Sequence, residues 1–160
     1  MPIELYLLLL TTVANGAPAI VRNFFGRRFV FPLDGGLRLK DGQPLFGSSK
    51  TLRGLAASVV ATAALAALLG FPWDLGALIS VCAMVGDAIS SFIKRRLRMP
   101  PKGHAPVLDQ VPESLLPLLA VQPALDLSWL SIGVVVSAFV AVHLILSPLL
   151  FRLHIRDRPY

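Results

Sequence analysis

Residues 127–151 read LSWLSIGVVVSAFVAVHLILSPLLF and contain no Asp, Glu, Lys or Arg. A helix of about 20 consecutive apolar residues is enough to cross the roughly 30 Å hydrocarbon core of a bilayer. This stretch of 25 residues is therefore long enough to span a membrane. Residues 55–73 form a second uncharged run, of 19 residues. Two such runs in a chain of 160 residues predict an integral membrane protein.

The composition supports this class. Apolar residues make up 55% of the chain and charged residues only 15%, whereas soluble domains carry about 25% charge. Three further apolar runs contain one or two acidic residues each: residues 2–21 and 75–93 contain one, and residues 105–125 contain two. The sequence thus predicts one all-α domain, residues 1–160, with about five transmembrane helices. The first run lacks a basic leader and a small-residue cleavage site, so we expect a retained helix rather than a signal peptide.

The basic residues predict the orientation. All 15 Lys and Arg lie in the segment of residues 22–54, the segment of residues 94–105 or the C-terminal tail. The opposite side carries only Glu4, Asp74 and Asp126. By the positive-inside rule, the N-terminus is outside, and both long loops and the C-terminus are cytoplasmic. We therefore expect a multi-pass plasma-membrane protein with a cytoplasmic functional face. Its basic charge suits anionic lipid, and no fold for nucleic-acid recognition is evident.

The run GDAISSFIKRR, residues 86–96, places four polar side chains on one face of the third helix. They are Asp87, Ser90, Ser91 and Lys94. A carboxylate within a membrane span costs several kcal/mol unless it faces a polar cavity, an ion or a partner. Two interpretations are open: Asp87 pairs with Lys94 or Arg95 at the interface, or it belongs to a functional site.

Two more acidic residues, Asp109 and Glu113, lie at the start of the fourth helix, on the same side of the membrane as Asp87. Three carboxylates surrounded by bases favour a hard cation with oxygen ligands, and Mg²⁺ is typically held by one or two carboxylates plus substrate phosphates. A soft metal site is excluded because the chain has a single cysteine and three scattered histidines.

The first long loop contains PLDGGLRLKDGQPLFGSSKTLRG, residues 32–54, directly before a helix. It lacks the spacing of a Walker motif. Backbone N–H groups at the helix N-terminus, with Lys50 and Arg53, would nevertheless bind phosphate. The alternative is an ordinary amphiphilic loop. In the first helix, Asn15 is either an interhelical hydrogen-bonding residue or part of a site.

Taken together, these motifs resemble the CDP-archaeol synthase family, CTP-dependent cytidylyltransferases of archaeal ether lipids that are related to CDP-diacylglycerol synthases. The resemblance covers nearly the whole chain. It rests on Asn15 and Pro18, P-x-D-x-G at residues 32–36, DGxxLFGxxKTxRG at residues 41–54, GDxxSSFIKRR at residues 86–96 and PVLDQ at residues 106–110. It implies five helices and transfer of a cytidylyl group from CTP to a membrane lipid phosphate, with release of pyrophosphate. It also implies Mg²⁺ or another divalent cation.

The resemblance implies a role for each matching residue. Asp87 and Asp109 are expected to bind metal, with Lys94 beside them in the catalytic centre. The expected substrate-binding residues are Lys50, Thr51, Arg53, Ser90, Ser91, Arg95, Asn15 and Asp34. The family pattern D-Q-x-D has a second acid where this chain has Pro112. Either Glu113 replaces that acid as a metal ligand, or the contact is lost.

The acceptor lipid remains open between an archaeol-type geranylgeranylglycerol phosphate and phosphatidic acid. The alternative function is a non-catalytic membrane protein: a small transporter, a lipid-binding scaffold or a degenerate family member. Transporters often show paired repeats and polar groups at the midplane. Here the polar groups lie at one side and no repeat is visible, which favours the enzyme. The sequence is compatible with a homo-oligomer.

Overall fold

The computed structural model describes residues 2–26, 28–99 and 105–152, except for the side chains of residue 106 and residues 146–152. The C-terminal tail that was predicted to be cytoplasmic lies outside the described residues beyond position 152. The same holds for residues 100–104 of the second predicted loop, residues 94–105.

Five α-helices follow one another along the chain, as predicted. They are α1 (Ile3–Phe25), α2 (Leu52–Leu68), α3 (Trp73–Arg96), α4 (Pro106–Leu125) and α5 (Trp129–Arg152). Within the described ranges the loops form no β-strand, only the isolated bridges of Pro32 with Thr51 and of Arg38 with Pro44. The predicted all-α class is confirmed.

The helices differ in how well they match a bilayer. Among the described residues, α1 (23 residues) and α3 (24 residues) are long and apolar enough to cross it. The 17-residue α2 and the Trp129–Ile145 part of α5 are apolar but shorter. The remaining helix, α4, contains two carboxylates, Asp109 and Glu113. Five helices are therefore confirmed, and the number that cross the bilayer stays a prediction.

The core of the bundle lies between the helices, with α3 packed against α1, α2 and α4. Every helix contributes to one cluster of buried apolar side chains, formed by Leu7, Leu10, Ala66, Ile79, Leu118, Val121, Leu127, Ile132 and Val135. Burial of such side chains from water contributes about 1.5–3 kcal/mol each in a soluble core. In a bilayer, close packing and interhelical hydrogen bonds carry more of the stability.

Small and polar residues let the first three helices approach closely. The hydroxyl of Ser58 in α2 donates to the Ala14 carbonyl of α1 at 2.6 Å and contacts the Ser80 hydroxyl of α3 at 2.7 Å. A Cβ on Gly76 of α3 would lie 2.6 Å from the Thr62 carbonyl oxygen of α2. These contacts hold α1, α2 and α3 in a fixed register.

The bundle has two different ends. At the turn end, residues 69–72 join α2 to α3, and residues 126–128 join α4 to α5. At the loop end, α1 and α3 finish, and α2 and α4 begin after longer connections. Contacts between Arg53 and Gly26 and between Lys94 and Asp109 bring these termini together. The loop end therefore gathers most of the predicted site residues.

Candidate active site

Asp87 of α3 forms an ion pair with Lys50, the second-last residue of the first loop. Both side chains are partly buried. The carboxylate thus pairs with the loop rather than with Lys94 or Arg95 of its own helix. This pair joins the two motifs that the sequence analysis placed in separate segments.

A second ion pair connects α3 to α4. The Lys94 Nζ atom lies 2.7 Å from Asp109 Oδ1, and both side chains are partly shielded from water. Lys94 follows Asp87 by seven residues, two turns of the same helix, so both pairs lie along one face of α3. Two lysines and two carboxylates therefore line the loop end in alternation.

Glu113 completes the cluster. Its side chain is only 9% exposed, and its carboxyl group lies beside that of Asp87, with Lys50 and Asp109 also nearby. The neighbouring Pro112 contributes its backbone, which packs directly against Gly86 of α3. The second acid beside Asp87 is therefore Glu113.

These residues fit a divalent cation. Two carboxyl groups in contact repel each other unless a proton or a cation lies between them. Among the described residues, no three His, Cys, Asp or Glu side chains lie close enough together to hold a metal ion. Mg²⁺ is commonly held by one or two carboxylates plus substrate phosphates, and a metal ion at Asp87 and Glu113 stays a prediction. Coordination by Asp109 stays a prediction.

Asp34 organises the loop that carries Lys50. Its Oδ2 atom accepts the backbone N–H groups of Phe46 and Gly47, each at 3.0 Å, and Oδ1 accepts that of Gly36 at 3.0 Å. Partial burial raises the pKa of Asp34, but these hydrogen bonds outweigh it and lower the pKa below its ordinary value of 3.8. The carboxylate also lines a loop cavity of ≈220 Å³, so its predicted substrate contact stays open.

Arg96, which the sequence analysis did not select, fastens the same loop to the end of α3. Its guanidinium pairs with Asp41, donates to the Pro44 carbonyl at 2.8 Å and stacks 5.2 Å from the centre of the Phe92 ring. The hydrogen bond from the Gln43 backbone N–H lowers the pKa of Asp41, and the interaction with Arg96 lowers it further. The only sequence signal was that Arg96 is the third base of the run that begins at Lys94, and nothing in its spacing indicated a loop contact.

A family model described as CDP-archaeol synthase (CarS-like) matches residues 3–160. The chain belongs to the CDP-archaeol synthase family. It is 34% identical to the CDP-archaeol synthase of Hyperthermus butylicus, over 96% of this chain and 86% of that protein. It is 39% identical to that of Aeropyrum pernix, over 77% of this chain and 70% of that protein. The resemblance and the prediction of a nucleotidyltransferase enzyme are confirmed.

A solved structure supports the fold of this CDP-archaeol synthase family member. It is described as structural insight into an intramembrane enzyme for archaeal membrane lipids biosynthesis. The two chains are 33% identical, and the alignment covers 87% of this chain and 89% of the other, with a TM-score of 0.67. A membrane location is thereby supported, and the predicted orientation across the plasma membrane stays a prediction.

The remaining residues of the CDP-archaeol synthase loop motif, Thr51 and Arg53, make hydrogen bonds to backbone groups. Thr51 caps α2, because its Oγ1 atom accepts the Gly54 N–H at 3.1 Å, and the Leu52 N–H donates to Phe31 at 2.9 Å. These two amides are therefore occupied in the structure, and phosphate binding at this helix terminus stays a prediction. Arg53 donates to the carbonyls of Gly26 and Arg28. Lys50 is thus the residue of this group that contacts a site carboxylate.

Several other predicted residues are buried or make hydrogen bonds within or directly after their own helix. Ser90 and Ser91 are buried, and the Ser90 hydroxyl donates to carbonyls of its preceding turn. The Asn15 amide donates to Thr11 at 3.0 Å within α1. Arg95 donates to the Met99 carbonyl at 3.2 Å, and its Nε atom faces Gly47 of the loop. Their roles in substrate binding stay predictions.

Proposed function

We propose that the chain transfers a cytidylyl group from CTP to the phosphate of an archaeol-type lipid, forming a CDP-lipid and pyrophosphate. The observation that carries this proposal is the Lys50–Asp87 ion pair beside Glu113. The ammonium group of Lys50, which can bind phosphate, thereby lies next to a pair of carboxyl groups. The chain belongs to a family whose named relatives are CDP-archaeol synthases. Phosphatidic acid is the competing acceptor.

The reaction is an in-line displacement at phosphorus. An oxygen of the lipid phosphate attacks the α-phosphorus of CTP, a new P–O bond forms, and the bond to the β-phosphate bridging oxygen breaks. The electron pair of that bond leaves with pyrophosphate. A phosphate monoester is largely ionised at neutral pH, since its second pKa is about 6. No general base is required, in keeping with a cluster built from lysines and carboxylates.

Lys50 and Lys94 have the chemistry to bind the phosphates. Without substrate they neutralise Asp87 and Asp109. In the proposed complex their ammonium groups move from the carboxylates to phosphate oxygens, while Arg95 lies beside the loop at Gly47. Positioned cations of this kind stabilise the charge that develops on the pentacoordinate phosphorus and on the leaving pyrophosphate.

Asp87 and Glu113 would hold the divalent cation, with Asp109 beside them. Bound there, Mg²⁺ would neutralise phosphate charge and orient the triphosphate. A cavity lined by Asp34, Arg38 and Ser48 lies in the same loop as Lys50, and the water-soluble nucleotide would approach from this loop. The lipid phosphate would approach from the leaflet at the loop end.

Purified protein with CTP, Mg²⁺ and archaeol-type phosphate tests the proposal by release of pyrophosphate and by chromatographic detection of the CDP-lipid. A parallel reaction with phosphatidic acid identifies the preferred acceptor. Release with neither lipid would overturn the proposal. Asp87→Asn should reduce turnover by about 10²-fold or more, whereas Asp74→Asn, at the turn end, should leave it unchanged. Full turnover of Asp87→Asn would refute the role of Asp87.

A further inference from the structure

The segment that leaves α1 exposes an unusual number of aromatic side chains. We call residues 24–31 the Phe segment, of which residue 27 is outside the described residues. Four phenylalanines there are at least half exposed: Phe24 (84%), Phe29 (67%), Phe31 (63%) and Phe25 (50%). Single exposed apolar residues are normal, but a contiguous apolar patch indicates an interaction surface.

The charge of this surface restricts its partner. Arg22 and Arg28 are exposed beside the phenylalanines, and no Asp or Glu occurs in the sequence between Glu4 and Asp34. Arginines next to exposed phenylalanines are the pattern of segments that lie in the interface of an anionic bilayer, with their apolar side buried about 5–10 Å. An anionic lipid surface therefore complements the segment in both charge and polarity.

The position of the segment supports the same partner. It continues directly from α1, which is long and apolar enough to cross a bilayer. At the turn end, Trp73 and Trp129 are also strongly exposed, so aromatic side chains mark both ends of the bundle. The 24 residues of α3 rise about 36 Å, slightly more than the roughly 30 Å hydrocarbon core. Both aromatic groups thus fall near a membrane boundary.

Backbone hydrogen bonds tie the Phe segment to Lys50. The Leu52 N–H donates to the Phe31 carbonyl at 2.9 Å, and the Leu33 N–H donates to the Lys50 carbonyl at 2.8 Å. Arg53 also donates to the Gly26 carbonyl at 3.3 Å. Hydrogen bonds therefore join the segment to Lys50, so that the depth of the segment in a bilayer would also set the depth of Lys50.

We propose that the Phe segment lies in the headgroup–acyl boundary of the leaflet at the loop end and holds the Lys50–Asp87 pair at the level of the lipid phosphates. The partner is the bilayer itself, with anionic headgroups at the arginines. The consequence for lipid capture rests on the proposed function, because only a lipid phosphate acceptor needs the pair at that depth. The membrane insertion of the segment does not depend on it.

A depth measurement tests the insertion. In a Trp73→Phe, Trp129→Phe background, Phe29→Trp or Phe31→Trp provides a single fluorescent reporter. The control is Leu39→Trp, in the first long loop. The protein is reconstituted in anionic vesicles whose lipids carry bromine near the top of the acyl chain. Reporters at positions 29 and 31 should show blue-shifted emission and lose fluorescence to bromine, and the reporter at position 39 should show neither effect.

Two results would overturn the insertion. Emission typical of water, unaffected by bromine, would place the segment in solvent. Blue-shifted emission without bromine quenching would show that protein, such as a second copy of the chain, covers it. If the wild type releases no pyrophosphate with any lipid, the proposed function fails while the bromine measurement still decides the insertion.

The consequence for the acceptor has its own test. Phe29→Ser combined with Phe31→Ser should raise the KM for lipid phosphate in vesicles and leave the KM for CTP unchanged. The same double variant should keep its turnover with a short-chain, water-soluble lipid phosphate, which need not be captured from a bilayer. An unchanged KM for lipid phosphate in vesicles would contradict the proposal that the Phe segment sets the depth of the site. An equal loss of turnover with the soluble acceptor would contradict it as well.

Discussion

Gly86 of α3 lies so close to Glu113 of α4 that a Cβ on residue 86 would stand 2.8 Å from the Glu113 backbone nitrogen. Real Cβ atoms essentially never approach another heavy atom to less than 3.0 Å. Backbone contact at this point places the next residue of α3, Asp87, beside the Glu113 carboxyl group. The spacing of the two helices at the site thus depends on the absence of a side chain.

Gly86→Ala should therefore separate α3 from α4. We expect a loss of about 1–3 kcal/mol in stability, as for other overpacked positions, and a larger loss of turnover because the carboxyl pair separates. Thermal unfolding in detergent and pyrophosphate release measure the two effects. The matched control is Gly133→Ala in α5, where a new Cβ has nothing within 4 Å. Equal behaviour of the two variants would show that the contact is not limiting.

Glu113→Gln should lower turnover by about 10²-fold or more, since it removes a carboxylate that would hold the divalent cation. Adding Pro112→Asp, which restores the acid of the family pattern, should not rescue it. Positions 112 and 113 project about 100° apart around a helix, so an acid at 112 points elsewhere. Recovery of turnover in the double variant would instead assign the second acidic position to residue 112.

Asp34→Asn should weaken the loop at neutral pH. The folded pKa of Asp34 is depressed below 3.8, so its stabilisation is complete above about pH 5. It is lost as the pH falls through the lowered value. Replacing the carboxylate should cost about 1 kcal/mol after allowance for solvent screening. Protease cleavage within residues 35–48, compared between pH 7 and pH 3, measures this.

The difference between Asp34→Asn and the wild type should shrink in acid, where the wild-type carboxyl is also protonated. Asp74→Asn, which alters an exposed carboxylate at the turn end, should leave cleavage of the loop unchanged. A difference that is constant across the pH range would mean that the charge of Asp34 does not hold the loop.

Arg96→Met should release residues 41–44 from the end of α3, since it removes the ion pair with Asp41 and the hydrogen bond to Pro44. Faster amide hydrogen exchange in this part of the loop is expected, together with a higher KM for CTP at similar turnover. Arg98→Met removes an exposed arginine two residues further on and serves as the control. Unaltered exchange in Arg96→Met would show that other contacts suffice to hold the loop.

The helices were predictable because each one is an uninterrupted or nearly uninterrupted apolar run. Their ends were not, because polar residues extend them. α1 continues past Val21 through Arg22, a base in the last turn that suits the helix dipole. α2 starts at Leu52 rather than Leu55, since Thr51 provides an N-cap. Apolar length alone carries no information about such caps.

The gathering of Asp87, Asp109 and Glu113 at one end of the bundle was also predictable, from the cost of a carboxylate within a span. The partners of those carboxylates were not. Lys50 contacts Asp87 because the loop turns back over α3. The hydrogen bonds to Asp34 and the contacts of Arg96 with the loop stabilise that turn. The family resemblance implied that Ser90 binds substrate; in the structure its hydroxyl donates to carbonyls of its own helix, as short hydroxyl side chains readily do.

The turn end contains none of the residues assigned to the site, and its connections are only residues 69–72 and 126–128. Adding or removing a helical turn there would change the hydrophobic thickness of the protein by about 5.4 Å. Lys50 and Asp87 would keep their positions relative to each other. A mismatch between the hydrophobic thickness of the protein and that of the bilayer is costly. Because the site lies at the loop end, the turn end can change in length to suit a thicker or thinner membrane without altering the chemistry.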